Sequence, residues 1–318
     1  MTEGHAAELG RRLREGDRSA APAALNVIEN RSPRGREQAA ALLAEAERGG
    51  GAPGHLIGVT GPPGVGKSSL LSALIAEWRR RGKTAAVLAV DPSSKRSGGS
   101  LLGDRARIQH DPRDDGVLIR STAAGTLLGG LAVSTREAAF ALLPAFDVVV
   151  VETVGVGQSE TDVAELCDTT AVVVQPGSGD TLQFLKAGIM EVPDVLVVTK
   201  ADLGKIALRA RRDLAQALRA LGERDTPVVA VSSLPPPQGI DELADALEAH
   251  RATLDLPAVR ARARRLAALA EFAAEHGEKG LRALGGRRAA EAALAAAGDA
   301  TPLPDLVAEL ERRAGVAG

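Results

Sequence analysis

Seven short apolar runs punctuate the middle of the chain, at 56–60, 84–91, 116–121, 146–152, 170–175, 194–199 and 227–231. They are continuous rather than alternating, the mark of strands buried on both faces. Stretches of helical spacing separate them, and strand–helix alternation of this kind predicts a mostly parallel sheet sandwiched by helices. The ends of the chain follow another rhythm. Residues 5–48 alternate Ala and Leu with charges at helical spacing, broken at Arg31-Ser32-Pro33-Arg34-Gly35, and 49–54 read as a glycine-rich linker. Beyond Arg251 the strands stop. Val259, Leu266, Leu269, Ala270 and Ala273 predict an amphipathic helix, with two more expected at 287–297 and 303–313. The expected division is an N-terminal helical extension and linker over 1–54, an α/β core over 55–251 and a C-terminal helical region over 252–318.

The first apolar run leads straight into Gly61-Pro62-Pro63-Gly64-Val65-Gly66-Lys67-Ser68, followed by Ser69 and a helical pattern. This is G-x-x-x-x-G-K-[ST] in its strand–loop–helix setting, the phosphate-binding loop of a P-loop NTPase. Backbone N–H groups of the loop and the positive end of the following helix capture an anion. Glycine lets the backbone approach the phosphates closely. Lys67 supplies charge for the β- and γ-phosphates, and the Ser68 hydroxyl is placed for Mg²⁺.

Two later runs end in chemistry of their own. The run at 146–152 delivers Glu152 to the sheet edge, where an acid can hold Mg²⁺ directly or through water, and Gly155 can offer a bare N–H to a γ-phosphate. The run at 194–199 ends in Thr199-Lys200-Ala201-Asp202, the [NT]-K-x-D order of guanine recognition. The Asp202 carboxylate can accept from both N1–H and the 2-amino group of guanine, and adenine lacks that pair of donors. The Lys200 stem can pack over the base. The last run ends in Ser232-Ser233-Leu234, suited to a backbone contact with guanine O6. Gly61, Asp91, Glu152, Thr199 and Ser232 all fall at carboxyl ends of expected strands, where such sheets bind ligands. GTP/GDP is the expected nucleotide.

Bulk properties narrow the partners. The 318 residues carry 39 Lys and Arg against 41 Asp and Glu, a net charge of −2, which argues against nucleic acid or a membrane surface as partner. Aromatic content is 2%, with no tyrosine, so base-stacking platforms are not expected. A lone cysteine, Cys167, excludes a disulfide framework and fits a reducing compartment. No apolar run reaches the length of a membrane span and the N-terminus is polar, so the expected location is cytoplasmic.

With these residues assembled, the chain resembles the MeaB/ArgK/MMAA family, P-loop GTPases of the SIMIBI class that act as chaperones of adenosylcobalamin-dependent acyl-CoA mutases such as methylmalonyl-CoA mutase. The most specific strings are Val90 to Arg105, Gly125 to Leu131 and Glu152 to Glu160. The resemblance implies that Asp91, Asp104 and Glu152 surround Mg²⁺ together with Ser68. It makes Lys67, Asp104 and Glu152 the catalytic group, and 92–107 and 152–162 the switches. It implies a mobile segment from Gln175 to Lys186 that couples nucleotide state to the mutase. The C-terminal helices become dimerisation arms of a homodimer, where their pattern alone would also suit a helical cap. An acyl-CoA mutase and a cobalamin adenosyltransferase are the implied partners. The chain departs from the family at Thr199, where Asn is usual, and at Pro62-Pro63 and Thr122-Ala123-Ala124, the latter two suggesting a relative that serves a different acyl-CoA mutase.

Hydrolysis is expected to be slow, with Gln158 and Arg105 as weak candidates for positioning water or charge. The run Arg260, Arg262, Arg264, Arg265 reads as a solvated helix face, with a phosphate- or acyl-CoA-facing patch as the alternative. Two competing functions carry less support. A GTPase metallochaperone needs surface thiols or clustered histidines, whereas His5, His55, His110, His250 and His276 are scattered. A protein or amino-acid kinase lacks a catalytic-base motif.

Overall fold

The computed structural model describes residues 2–49, 52–91, 108–123, 131–153, 158–177, 193–223 and 225–316. The chain forms two compact units. One comprises 55–131 and 148–254, and the other gathers 1–54, 132–147 and 255–318.

The first unit is built on the seven expected strands, all parallel: β1 (His55–Thr60), β2 (Ala85–Asp91), β3 (Val117–Ala123), β4 (Val148–Thr153), β5 (Thr169–Val174), β6 (Val195–Val198) and β7 (Val228–Ala230). Their order across the sheet is β3-β2-β4-β1-β5-β6-β7. Strand β1 therefore lies inside the sheet, flanked by β4 and β5, and its exit is a topological switch point, where open α/β sheets bind ligands. Helices cover both faces, as the continuous apolar strands require. Trp78, Leu71 and Leu74 of the helix Lys67–Arg80 pack with Ile57, Val87, Val150 and Val197, and Leu243 and Leu247 of the helix Ile240–Thr253 join the same cluster. A second cluster sets Leu214 and Leu218 of the helix Lys205–Ala220 on Val172, Leu196 and Val198. The helix Gln158–Leu166 closes on β1 where Gly58 lacks a side chain. A Cβ there would lie 2.1 Å from Val163 Cγ1 and 3.1 Å from Cys167 Sγ. Cys167 is thus a buried packing residue of this contact.

The second unit is helical. Numbered through the whole chain, α1 is Glu3–Arg14, α2 Ala21–Ile28, α3 Pro33–Ala46 and α5 Val133–Leu142, while α9 is Leu256–Ala283, α10 Arg287–Ala295 and α11 Leu303–Ala314. Among the described residues, the helices of the sheet unit are, in order, α4 (67–80), α6 (158–166), α7 (205–220) and α8 (240–253). The break expected at 31–35 is real: the Ser32 side chain caps α3 by accepting from the Gly35 amide at 3.1 Å, and Pro33 occupies the first turn. A second break, at 15–20, escaped the periodicity. There Gly16 has φ 83° and the Asp17 carboxylate caps a short 3₁₀ turn through the Ser19 amide. Helices α1 and α3 come close enough that a Cβ on Gly10 would sit 2.1 Å from the Leu42 carbonyl oxygen.

The arginine run corrects the sequence reading. Only Arg262 is exposed, whereas Arg260 and Arg264 are buried. Arg260 donates to the Ala52 and Gly54 carbonyls, Arg264 to the Asp299 carbonyl at 2.5 Å, and Arg265 to Ala297 O and Asp299 Oδ1, both at 2.8 Å. Buried main-chain oxygens at the ends of neighbouring segments need donors, and a guanidinium supplies several at once. The buried face of α9 is correspondingly offset. Leu269 is buried, but Val259, Leu266, Ala270 and Ala273 are half-buried, while Ala261, Ala263, Ala267, Ala268 and Phe272 form the core stripe.

Candidate nucleotide site

The P-loop follows β1 and is shaped by glycine where glycine is required. Gly61 has φ 144°, and a Cβ on it would lie 2.1 Å from the Val173 carbonyl oxygen of β5, so the chain can leave the sheet here only without a side chain. Gly64 (φ 77°) and Gly66 (φ 101°) also need the left-handed region, and Gly66 forms the N-cap of α4. Val65 is buried, Pro62, Gly66 and Ser68 are half-buried, and Pro63, Gly64 and Ser69 are exposed. Lys67, the first residue of α4, is only 6% exposed, and its ammonium donates to Gly61 O at 2.7 Å and Pro62 O at 3.0 Å. The loop thus curls around its own cation.

Glu152 is the penultimate residue of β4, in register with Val59 of β1 and Ala89 of β2, and is buried. Next to it, Thr153 Oγ1 donates to Thr60 Oγ1 across the β4–β1 pair at 3.1 Å. Asp91 is the last residue of β2. Glu152 and Asp91 therefore lie at the carboxyl ends of neighbouring strands, and Ser68 lies in the first turn of the helix that follows the next strand, β1. Ser68 and Glu152 bring a hydroxyl and a carboxylate, the hard oxygen donors that suit Mg²⁺. Asp104, Arg105 and Gly155 lie outside the described residues, as do 92–107, 154–157 and the segment 178–186. Gln158 opens helix α6.

The guanine box is held by hydrogen bonds that the sequence did not announce. Thr199 is buried, and its hydroxyl stands 2.7 Å from the Val65 carbonyl and 3.0 Å from that of Val174, which also accepts from the Thr199 amide at 2.9 Å. This side chain ties the end of β6 to the P-loop. Lys200 adopts the left-handed conformation (φ 57°), uncommon for a residue with a side chain, and its ammonium donates to Gln175 Oε1 at 2.5 Å. Asp202 sits exposed in the 3₁₀ turn Ala201–Leu203. Its Oδ1 accepts from Ser232 Oγ at 2.8 Å, and the Ala201 amide donates to Val231 O at 2.9 Å, so the box is bound to the end of β7 at two points. Ser232 is buried, Ser233 half-buried and Leu234 exposed, with the Leu234 amide 3.3 Å from Ser232 Oγ.

Sequence reasoning assigned Thr199 and Ser232 to the nucleotide itself and missed their roles in bracing the site. It also missed Ser72, whose hydroxyl donates to the Ser68 carbonyl one turn back at 2.9 Å and accepts from the Gln109 amide at 2.8 Å. The available signal was Ser72 standing four residues after Ser68 on the same helical face.

The family model of the methylmalonyl Co-A mutase-associated GTPase MeaB matches residues 21–281. A Pyrococcus abyssi protein named as a GTPase is 42% identical over 256 residues, which cover 78% of this chain and 76% of that protein. The Caenorhabditis elegans methylmalonic aciduria type A homolog, a mitochondrial protein, is 41% identical over 225 residues, covering 67% of this chain and 56% of its own. Among solved structures, a LAO/AO transport system kinase superposes with a TM-score of 0.66 at 28% identity, over 98% of both chains. Among the described residues no helix is long and apolar enough to cross a membrane.

Proposed function

Because the chain belongs to the MeaB family of methylmalonyl Co-A mutase-associated GTPases, we propose that it is a GTP-hydrolysing chaperone that gates loading or protection of adenosylcobalamin on an acyl-CoA mutase, either methylmalonyl-CoA mutase or a relative. One observation carries the chemistry: Lys67, Glu152, Thr199 and the bonded pair Asp202–Ser232 emerge from the carboxyl edge of one parallel sheet.

In this reading the triphosphate lies along the loop 61–69. Lys67 exchanges two neutral carbonyl acceptors for β- and γ-phosphate oxygens, and charge-assisted bonds of that kind are about twice as strong as neutral ones. Ser68, Asp91, Asp104 and Glu152 would hold Mg²⁺, which would supply positive charge against the negative charge that develops on the phosphates. The Gly155 amide donates to the γ-phosphate. Water attacks the γ-phosphorus in line, the bond to the β–γ bridging oxygen breaks, and GDP leaves with the electron pair. Asp202 accepts from guanine N1–H and the 2-amino group while Ser232 fixes one of its oxygens. The Lys200 stem covers the base, and the backbone of 232–234 meets O6.

Loss of the γ-phosphate then releases the segments 92–107 and 152–162, and 175–186 carries the change to the mutase. The helices of 252–318 pair two copies in a homodimer, and a cobalamin adenosyltransferase is the second partner. The test is recovery of partners from native lysate by the tagged protein, once with GDP and once with a non-hydrolysable GTP analogue. Nucleotide-dependent recovery of an acyl-CoA mutase is expected. Recovery of a metalloenzyme precursor instead, or of no mutase in either state, overturns the chaperone role while leaving GTP hydrolysis standing.

A further inference from the structure

The helical unit contains a cavity of about 230 Å³ that none of the nucleotide-site residues lines. Its walls divide by chemistry. Phe140, Leu143 and Pro144, around the C-terminal end of α5, form an apolar side, and Arg14, Arg48, Arg260 and Arg264 form a cationic one. Arg14 and Arg48 both bond Glu45, at 3.0 and 2.7 Å, and Arg260 donates to the Ala52 and Gly54 carbonyls.

Arg264 differs. It commits Nη2 to the Asp299 carbonyl, but its buried Nε has no hydrogen-bond partner, and the two carboxyl oxygens of buried Glu47 have none of hydrogen-bond length and angle, the Leu303 amide only pulling on them from nearby. Arg264 Nε and Glu47 Oε2 stand 3.7 Å apart, close enough to feel each other's charge but too far for a hydrogen bond. Buried polar atoms without partners are rare and costly, and here three of them line one cavity with room for roughly seven waters.

We propose that this cavity binds a small aliphatic carboxylate, its head group received between Arg264 and Glu47 and its hydrocarbon body laid against Phe140, Leu143 and Pro144. Even with Glu45 bonded to Arg14 and Arg48, four guanidiniums against the carboxyls of Glu45 and Glu47 leave the cavity favourable to an anion. The apolar wall selects an organic anion over a bare inorganic one. The number of uncommitted donors selects the head group: Arg264 Nε–H reaches one ligand oxygen and the protonated Glu47 O–H the other. Burial pushes Glu47 up to about 7 and Asp305 pushes it the same way, against the opposing pull of Arg264 and the Leu303 amide, so the acid form is available near neutrality.

The experiment is calorimetric titration of the full chain with isovalerate, against inorganic phosphate and isovaleramide as controls, at pH 6.5 and pH 8.5. Isovalerate is expected to bind with one-to-one stoichiometry and to weaken about tenfold or more at the higher pH as Glu47 ionises. Phosphate and the neutral amide are expected to bind at least tenfold more weakly. Glu47→Gln keeps the shape and an N–H donor, so it should retain binding and lose the pH dependence. Arg264→Gln should weaken binding at least tenfold. Should Arg264→Gln fail to fold, the Glu47→Gln comparison still decides the matter. Binding no tighter than that of isovaleramide, phosphate binding as tight as isovalerate, or an unchanged pH dependence in Glu47→Gln overturns the proposal.

Discussion

At the scale of single residues, the site is a set of side chains that brace one another before any ligand is considered. Lys67 shows how much of its chemistry is already in place, with a buried ammonium held inside the loop by Gly61 O and Pro62 O. Lys67→Ala should reduce GTP turnover to background in a phosphate-release assay, and turnover at the wild-type rate would remove the loop from the active site. Asp202 is the specificity residue of the proposed base pocket. Asn in its place presents a donor where guanine also donates, so Asp202→Asn should lower GTP affinity roughly 100-fold and favour xanthosine nucleotides in competition binding. Unchanged GTP affinity in that variant would assign guanine recognition elsewhere. Thr199 was legible only as the first letter of the guanine box, because its spacing to Asp202 is local and its bond to Val65 spans 134 positions. Thr199→Val keeps the shape and deletes the hydroxyl. It should cost about 1–2 kcal/mol in chemical denaturation, since the Val65 carbonyl loses its donor.

At the scale of elements, strands were more readable than helices, for a physical reason. A strand buried on both faces must be apolar at every position, so Val148–Val151 or Val195–Val198 announces itself whatever packs against it. A helix buried among other helices can carry polar residues if partners await them, and those partners are distant in sequence. Helix α5 buries Thr135, Arg136 and Glu137 as fully as its alanines, and α9 buries two arginines in its core stripe. Periodicity counts such residues as surface, which is why the arginine run read as solvated. The P-loop turn is the element where sequence and geometry meet most tightly, because a single missing Cβ lets β1 hand over to α4. Gly61→Ala would place a methyl 2.1 Å from the Val173 oxygen and demand φ near 144° of an alanine. The expected result is a destabilisation of about 3 kcal/mol or more together with loss of nucleotide binding. Wild-type thermal stability and GDP affinity in Gly61→Ala would show that the loop does not hold this shape.

At the scale of the whole molecule, the charges that set stability near neutrality sit in the helical unit. Arg31 faces two carboxylates, buried Glu137 at 2.6 Å and half-buried Glu271 at 3.8 Å. Burial raises the pKa of both, and for Glu271 the nearby carboxylates of Glu137, Glu275 and Glu311 raise it further, so one guanidinium serves more negative charge than it can balance. Glu47 is raised as well, to about 7 from 4.5. A carboxyl whose folded pKa lies above its unfolded value contributes stability that is complete below about 4.5 and is lost as pH climbs through the folded value. Asp17, Glu77, Asp114 and Glu309 are shifted the opposite way by neighbouring hydrogen-bond donors, and their contribution is lost only as pH falls through the acid range. Between pH 6 and 8 the raised group therefore dominates, and the protein should unfold at a higher temperature at pH 6 than at pH 8. The assignment rests on a variant that touches no histidine. Glu271→Gln keeps the side chain's shape and removes its charge. It should stabilise the protein at both pH values, by about 2 kcal/mol more at pH 8 than at pH 6, and so flatten the difference between the two. Thermal melts of both proteins at both pH values decide it, and an undiminished pH dependence in Glu271→Gln would mean that these carboxylates are not its source.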